Sequence, residues 1–181
     1  MYVPPFDIPL AEIRSELDRL RGPLRIAIQR SKNPFNVGAI IRVAHSFLVR
    51  EIFLIGEEPY YERASMGMEK YENIIKIADE ESFIARVREA RLPIVAIEKD
   101  HPRVTGLWSY PFPEQPVLVF GSEDQGVSPA ILRHAQAVVA IPMFGINHSY
   151  PVSVAAGIVM AEWARRYWGR ERLIAVPRDE R

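Results

Sequence analysis

The sequence predicts an α/β fold: one domain built on a mostly parallel sheet with helices on both faces. Three observations carry this reading. Short runs that are almost continuously Ile, Val, Leu and Ala recur along the chain, as in strands covered on both sides. Segments of helical periodicity alternate with them, and this alternation produces parallel crossovers. With 181 residues, the chain is long enough to bury one real core.

The elements follow in order. Residues 9–21 read as an amphipathic helix with Leu10, Ile13, Leu17 and Leu20 at helical spacing, stopped by Gly22-Pro23. Strands are predicted at 24–29, 51–56, 73–78, 93–98, 116–121 and 137–143, and helices at 36–48, 80–91, 129–135 and 151–168. Ligands are expected beyond the carboxyl ends of such strands. The stretch 99–115 is the longest irregular one; it reads either as a loop lining a site or as a surface excursion that buries Trp108 and Phe112.

Composition narrows the classes. The 23 basic and 23 acidic residues cancel, so nucleic acid would have to be met by a local patch and not by a whole-molecule field. The absence of cysteine excludes disulfides, thiolate metal sites and a cysteine nucleophile. His45, His101, His134 and His148 lack metal-ligand spacing, so no metal is expected. The N-terminal segment has no signal-peptide pattern and no run is long enough to cross a bilayer, which leads us to expect a cytoplasmic protein without membrane contact.

Three strand-to-helix turns concentrate the polar chemistry. In "RSKNPFNVGAIIRVAHSF" (30–47), Asn33 or Asn36 can cap the following helix, and Gly38 permits close backbone approach. Arg42 is placed near the N-terminal end of that helix, where a cation opposes the dipole and therefore needs a use or a partner. In "VLVFGSEDQGVSPAIL" (117–132), Gly121 ends a strand and Ser128-Pro129 opens a helix. Between them, Glu123 and Asp124 would repel a polyphosphate and favour a ligand with hydroxyls, an amine or a positive centre.

In "AIPMFGINHSYPVSVAAGIVMAEWARRYW" (140–168), a strand ends at Ile141-Pro142-Met143 and a loop carries Asn147, His148 and Ser149. Pro151 then preorganises a helix. No carboxylate stands next to His148 to orient it, which disfavours a hydrolase triad. Val152, Ala155, Ala156, Val159, Met160, Trp163 and Tyr167 form one apolar stripe on the helix. Val154, Ile158 and Ala161 widen it, so the helix calls for a second burying surface such as a homodimer contact.

Taken together, "NPFNVGAIIRVAHSF", "VFGSEDQGVS" and "IPMFGINHSYPVSVAAG" resemble, in order and spacing, the three motifs of the SpoU branch of the SPOUT RNA methyltransferases; "ASMGMEKYENI" is similar to that family's middle segment. The resemblance implies a C-terminal trefoil knot that forms a pocket for S-adenosyl-L-methionine, and a homodimer whose interface uses the first and last helices. It implies cofactor contacts from Ile97, Gly121, Ile141, Met143 and Ser149. Asn36, Arg42, Glu123 and Ser149 match the family's catalytic positions, and the implied reaction is methylation of a ribose 2′-hydroxyl in tRNA or rRNA. It divides the chain into an N-terminal helical extension (1–23), a methyltransferase domain (24–168) and a C-terminal tail (169–181).

A guanidinium stays protonated far above neutral pH, so Arg42 is better suited to orienting a ribose or phosphate than to removing a proton. Two departures stand out. Ser149-Tyr150-Pro151 replaces the family's Ser-Leu-Asn, and Phe47-Leu48 replaces its Phe-Gly. The lost asparagine motivates the competing reading, a noncatalytic RNA-binding or assembly protein that retains the knotted dimer. Arginines near both ends (Arg14, Arg19, Arg21, Arg25, Arg30 with Lys32; Arg165, Arg166, Arg170, Arg172) are candidates for phosphate contacts or for an ordinary solvated surface.

Overall fold

A computed structural model describes residues 8–30, 33–146 and 148–168. Asn147, Lys32, Arg170, Arg172, the tail 169–181 and the start of the N-terminal extension lie outside the described residues. Strands β1 (Arg25–Gln29), β2 (Glu51–Ile55), β3 (Ile74–Ile77), β4 (Ile94–Ile97), β5 (Val104–Gly106), β6 (Val117–Phe120) and β7 (Ala137–Ala140) form one sheet in the order β3-β2-β1-β6-β4-β7-β5. Every pairing is parallel; Ile28, for example, stands opposite Leu54 on one side and Phe120 on the other. Helices α1 (Leu10–Leu20), α2 (Pro34–Ser46), α3 (Glu80–Glu89), α4 (Pro129–His134) and α5 (Val152–Tyr167) connect and cover it. All six expected strands and all five expected helices are present, trimmed or shifted at their ends.

The apolar runs work as the alternation of side chains demands. On β6, Leu118 and Phe120 enter a core shared with α2 and α5, while Val117 and Val119 enter one shared with α3 and α4. Side chains start the helices: Asn33, not Asn36, caps α2 through Phe35 N at 3.2 Å, Asp79 caps α3 through Ser82 N at 2.7 Å, and Ser128 caps α4 through Ile131 N at 3.4 Å. Gly38 is required by close approach, since a Cβ there would meet Ala64 Cβ and Tyr61 O at 2.7 Å. The contact belongs to residues 57–72, which fold over α2 with two short 3-10 turns (Glu62–Ser65 and Met68–Lys70) that periodicity does not predict.

The apolar stripe of α1 is not core: Ile13 and Leu17 are half-buried, whereas Leu10 and Leu20 are exposed. Polar ties hold this helix instead. Arg14 Nη1 donates to Lys70 O at 2.9 Å, and the buried Arg21 gives Nη1 hydrogen bonds of 2.8 Å to both Glu72 Oε2 and Val49 O. Arg25 pairs with Glu51 at 2.6 Å. Several arginines considered for phosphate are thus engaged internally.

The stretch 99–115 is more ordered than expected. It contains the edge strand β5, and it buries Leu107, Tyr110 and Phe112; Trp108, in contrast, is 54% exposed, which corrects the expectation of a buried indole. This stretch is clamped to α5. Arg166 donates to Tyr110 O at 2.5 Å and Trp108 O at 3.0 Å, Trp163 Nε1 donates to Pro113 O at 3.3 Å, and Tyr167 OH donates to Phe112 O. Glu162, buried in α5, accepts from Arg165 Nε at 2.8 Å and Arg166 Nε at 2.7 Å. Ala156, Val159, Met160 and Trp163 face the sheet, while Val154 and Ala161 are exposed and Ile158 is half-buried, so the widened face remains open in one chain.

The Arg165 hydrogen bonds, joined by those of Arg166 and by both positive charges, outweigh burial and hold the Glu162 carboxyl at about 2. A carboxyl depressed in the folded state contributes stability that is present above its unfolded value and is lost as pH falls through the folded one. Denaturant melts of the wild type should therefore lose stability progressively from roughly pH 4.5 towards pH 2. Glu162→Gln should be less stable at neutral pH and flatter over that interval; an unchanged slope would show that the clamp does not act through this charge.

Candidate functional site

Parallel strands deliver all their carboxyl ends to one edge of the sheet. There the loops following β4, β6 and β7 meet around a cleft of about 840 Å³, within the range of small-molecule sites. Of the residues singled out from sequence, Ile97, Gly121, Glu123, Ile141, Met143 and Ser149 all line it. Asn36 and Arg42 do not. Asn36, in the first turn of α2, accepts from Ser153 Oγ of α5 at 3.1 Å, and its buried Nδ2 has no partner among the described residues. Arg42 lies in the C-terminal half of α2, where its charge suits the helix dipole, which corrects its placement near the N-terminus. It is exposed, and its guanidinium makes no hydrogen bond or ion pair to another described residue.

The cleft is shaped by one loop folded tightly on itself. Ser122 and Gly126 exchange backbone hydrogen bonds of 3.1 and 2.9 Å, and a Cβ on Gly121 would overlap the Gly126 carbonyl. Gly126 has φ +66°, and a side chain there would strike the Glu98 carboxylate. Glu98 explains why: Oε2 accepts from Val127 N at 3.0 Å, while Oε1 accepts from Lys99 N at 2.7 Å and Asp100 N at 3.3 Å. One carboxylate therefore joins the loops after β4 and β6.

Two further ties bring in the loop after β1. Asn33 Nδ2 donates to Glu123 Oε2 at 3.1 Å, and Gln29 Oε1 accepts from Ser128 N at 2.9 Å. Sequence reasoning missed Glu98 and Gln29 and saw in Asn33 only a cap. Their available signal was position, since Gln29 and Glu98 are polar residues directly after apolar strand interiors, at the carboxyl ends of β1 and β4.

The walls combine apolar Ile97, Ile141 and Met143 with the carboxylates of Glu98, Glu123 and Asp124 and the ammonium of Lys99. This surface suits a ligand with an apolar body and a positive centre or hydroxyls, and it opposes a polyphosphate. His148 has no hydrogen bond to a carboxylate among the described residues, so no triad forms around Ser149 there. Among the described residues no group of His, Cys, Asp or Glu could hold a metal ion.

If Glu98 joins the two loops, Glu98→Ala should leave the sheet intact but speed amide exchange at Val127 and Lys99 by at least about tenfold, because hydrogen bonds to a charged group contribute about 1.5–3 kcal/mol. Exchange measured residue by residue that leaves Val127 as protected as in the wild type would refute this role.

Comparison with known proteins agrees with this architecture. The family model described as the SpoU rRNA Methylase family matches residues 23–161. A tRNA (guanosine(18)-2′-O)-methyltransferase of Aquifex aeolicus is 26% identical over 166 residues, which is 87% of this chain and 76% of that protein. The crystal structure of the A. aeolicus TrmH/SpoU tRNA modifying enzyme superposes with a TM-score of 0.76 at 27% identity, covering 91% of this chain and 83% of that one. The AdoMet-bound rRNA methyltransferase of Sinorhizobium meliloti gives a TM-score of 0.73 at 30% identity, over 83% of this chain and 60% of that one. The chain spans about half the length of several curated relatives it matches, 54% in one case and 46% in another.

Proposed function

The chain belongs to the SpoU rRNA Methylase family, and from that premise we propose that it transfers a methyl group from S-adenosylmethionine to a ribose 2′-hydroxyl of tRNA or rRNA. The observation that carries the reading is the cleft itself. It joins the second and third family motifs, which follow β6 and β7, to the loop after β4, and its apolar walls and carboxylates fit a cofactor with a positive sulfur and no phosphate. The Aquifex relative's name specifies 2′-O chemistry on tRNA, and the Sinorhizobium neighbour binds AdoMet.

In this reading Ile97, Gly121, Ile141, Met143 and Ser149 hold the cofactor, which supplies an electrophilic methyl group when bound. Gly121, without a side chain, lets the Gly126 backbone close against it and so shapes the loop that would face the cofactor. The apolar walls exclude water, and the carboxylates favour the cationic sulfur. Glu123, held by Asn33, receives a hydrogen bond from the substrate side, and Ser149 bonds the cofactor or its loop. Asn36 sets α2 against α5 through Ser153. The guanidinium of Arg42 keeps its proton and orients ribose or phosphate, so the chain's main work is in-line positioning. Pro151 gives up an amide, and its carbonyl starts α5 by accepting from Val154 N at 2.9 Å and Ala155 N at 3.0 Å.

A homodimer completes the proposal. Val154, Ile158 and Ala161 form an outward face on α5, which packs against α2, and this face is the one we assign to the interface. We also assign the trefoil knot to the chain after β7; its support is that α5 returns to α2 while residues 107–113 are clamped about it. Residues 24–168 constitute the methyltransferase domain, with 1–23 as a helical extension and 169–181 as a tail. The setting we assign is cytoplasmic; among the described residues no helix is long and apolar enough to cross a membrane.

Calorimetric titration with S-adenosylmethionine, followed by incubation with labelled cofactor and total RNA from a host deletion strain, tests the activity. Saturable binding and label in RNA are expected; absence of binding overturns the reading, and binding without transfer favours a noncatalytic RNA-binding protein. Arg42→Ala should remain folded and lose about 100-fold or more in transfer rate, the scale for removing one oriented charge from a transition state. Light scattering should find wild type dimeric and Ala161→Glu monomeric, and a dimeric Ala161→Glu would displace the interface from this face.

A further inference from the structure

We propose that Phe35 and Tyr61 form a stacking platform for one unpaired nucleobase of the RNA, beside the cleft and not within it. The inference rests on the RNA reading above and adds the form in which the RNA is held.

Phe35 is the second residue of α2 and is 58% exposed; Tyr61 precedes the first 3-10 turn and is 40% exposed. Their ring centroids lie 4.7 Å apart with planes at 46°. Two large rings thus support each other while each leaves surface open to water. Their backbones are fixed: Tyr61 N donates to Pro34 O at 3.0 Å, Asn33 caps the helix through Phe35 N, and Gly38 packs on the Tyr61 carbonyl. Little freedom remains to be lost on binding, which is what a preformed recognition surface requires.

Position relates the pair to the reaction. Phe35 is two residues from Asn33, whose amide holds Glu123 in the wall of the cleft. Arg42 lies seven residues further along the same exposed face, roughly 10 Å away along the helix axis. A base on Phe35 and a phosphate or ribose at Arg42 are therefore within the reach of adjoining nucleotides.

The surrounding charges favour stacking as the means of recognition. Arg30, whose Nη1 donates to Glu58 O, and the exposed Arg63 are offset on the same loops by exposed Glu57, Glu58 and Glu62. With two arginines against three glutamates, this patch draws no duplex through its phosphates, whereas every base has a face that stacks on an aromatic ring. Bases in a duplex are already stacked, so the occupant is a single-stranded or loop nucleotide. A second copy of the chain fits less well, because Phe35 leans to Tyr61 on the Gly38 side of α2. The side facing α5 is marked by Asn36 and Val43.

The test uses the whole protein and a short single-stranded oligoribonucleotide carrying a fluorescent aminopurine, whose emission is quenched by stacking. Wild type should quench it and should ignore the same strand in a duplex. Phe35→Ala and Tyr61→Ala should each weaken binding by about tenfold, and Phe35→Trp should restore it. S-adenosylmethionine affinity and oligomeric state should not change in these variants. Equal binding by wild type and Phe35→Ala, absence of quenching by wild type, or failure of Phe35→Trp to rescue would overturn the platform. Dissociation of the dimer in Phe35→Ala would do so as well, by identifying the ring as a contact between copies. Failure of wild type to bind S-adenosylmethionine would strike the methyltransferase reading alone.

Discussion

The seven strands of the described residues all run parallel, and from this one constraint follow both what must be buried and where chemistry can occur. A parallel sheet needs crossovers, and crossovers cover both faces, so β6 can be apolar at every position and divide its side chains between two cores. The same direction brings the loops after β1, β4, β6 and β7 to one edge. There the ladder ends and backbone N–H groups need new partners. The polar residues at the strand ends supply them: Glu98 serves Val127, Lys99 and Asp100, and Gln29 serves Ser128. The cleft is the space left when those demands are met.

The far edge of the sheet has a different problem. β5 has only three residues and one neighbour, so the chain that follows it cannot satisfy its carbonyls by pairing. Arg166 takes up those of Leu107, Trp108 and Tyr110, and its charge is returned by Glu162 one turn earlier. A buried ion pair seldom adds much net stability, but removing one partner strands the other. The pair is best understood as fixing where α5 lies, and α5 in turn presents Ala155 and Pro151 to the cleft. Arg21, Glu72 and His45 act similarly at the opposite side, where Glu72 Oε1 lies 2.7 Å from His45 Nδ1 and joins α2 to the end of the 57–72 segment.

What was legible in the sequence was whatever depends on continuous burial or on local capping. The apolar strands, the five helices and the Ser128 cap fall in this class, whereas the six cleft residues came from the family resemblance and not from burial or capping. What was not legible depends on contacts between distant segments. β5 is a strand only because β7 lies beside it, since Val104 and Thr105 are exposed and carry no alternation. Trp108 follows buried Leu107, yet it points to water because Arg166 holds its carbonyl and not its ring. Glu98 gives little sign in a string that it meets Val127, and Arg42 was misplaced along α2 because the helix begins at Pro34, before the predicted start.

Charge then divides the proposed reaction in space. Glu98, Glu123 and Asp124 give the cleft a local negative character within a chain whose formal net charge is zero. That field stabilises a sulfonium and repels a phosphodiester, so methyl donor and RNA backbone cannot both be drawn into the same hollow by electrostatics. The exposed face of α2 lies outside it and offers the guanidinium of Arg42, which has no ion-pair partner among the described residues, and aromatic surface at Phe35. An RNA held there would keep its phosphates away from the carboxylates and extend only a ribose hydroxyl, which is uncharged, towards Glu123. On this arrangement the absence of net charge is no obstacle to RNA binding; it leaves selection to an unpaired base and a single phosphate, and it disfavours indiscriminate attraction to duplex.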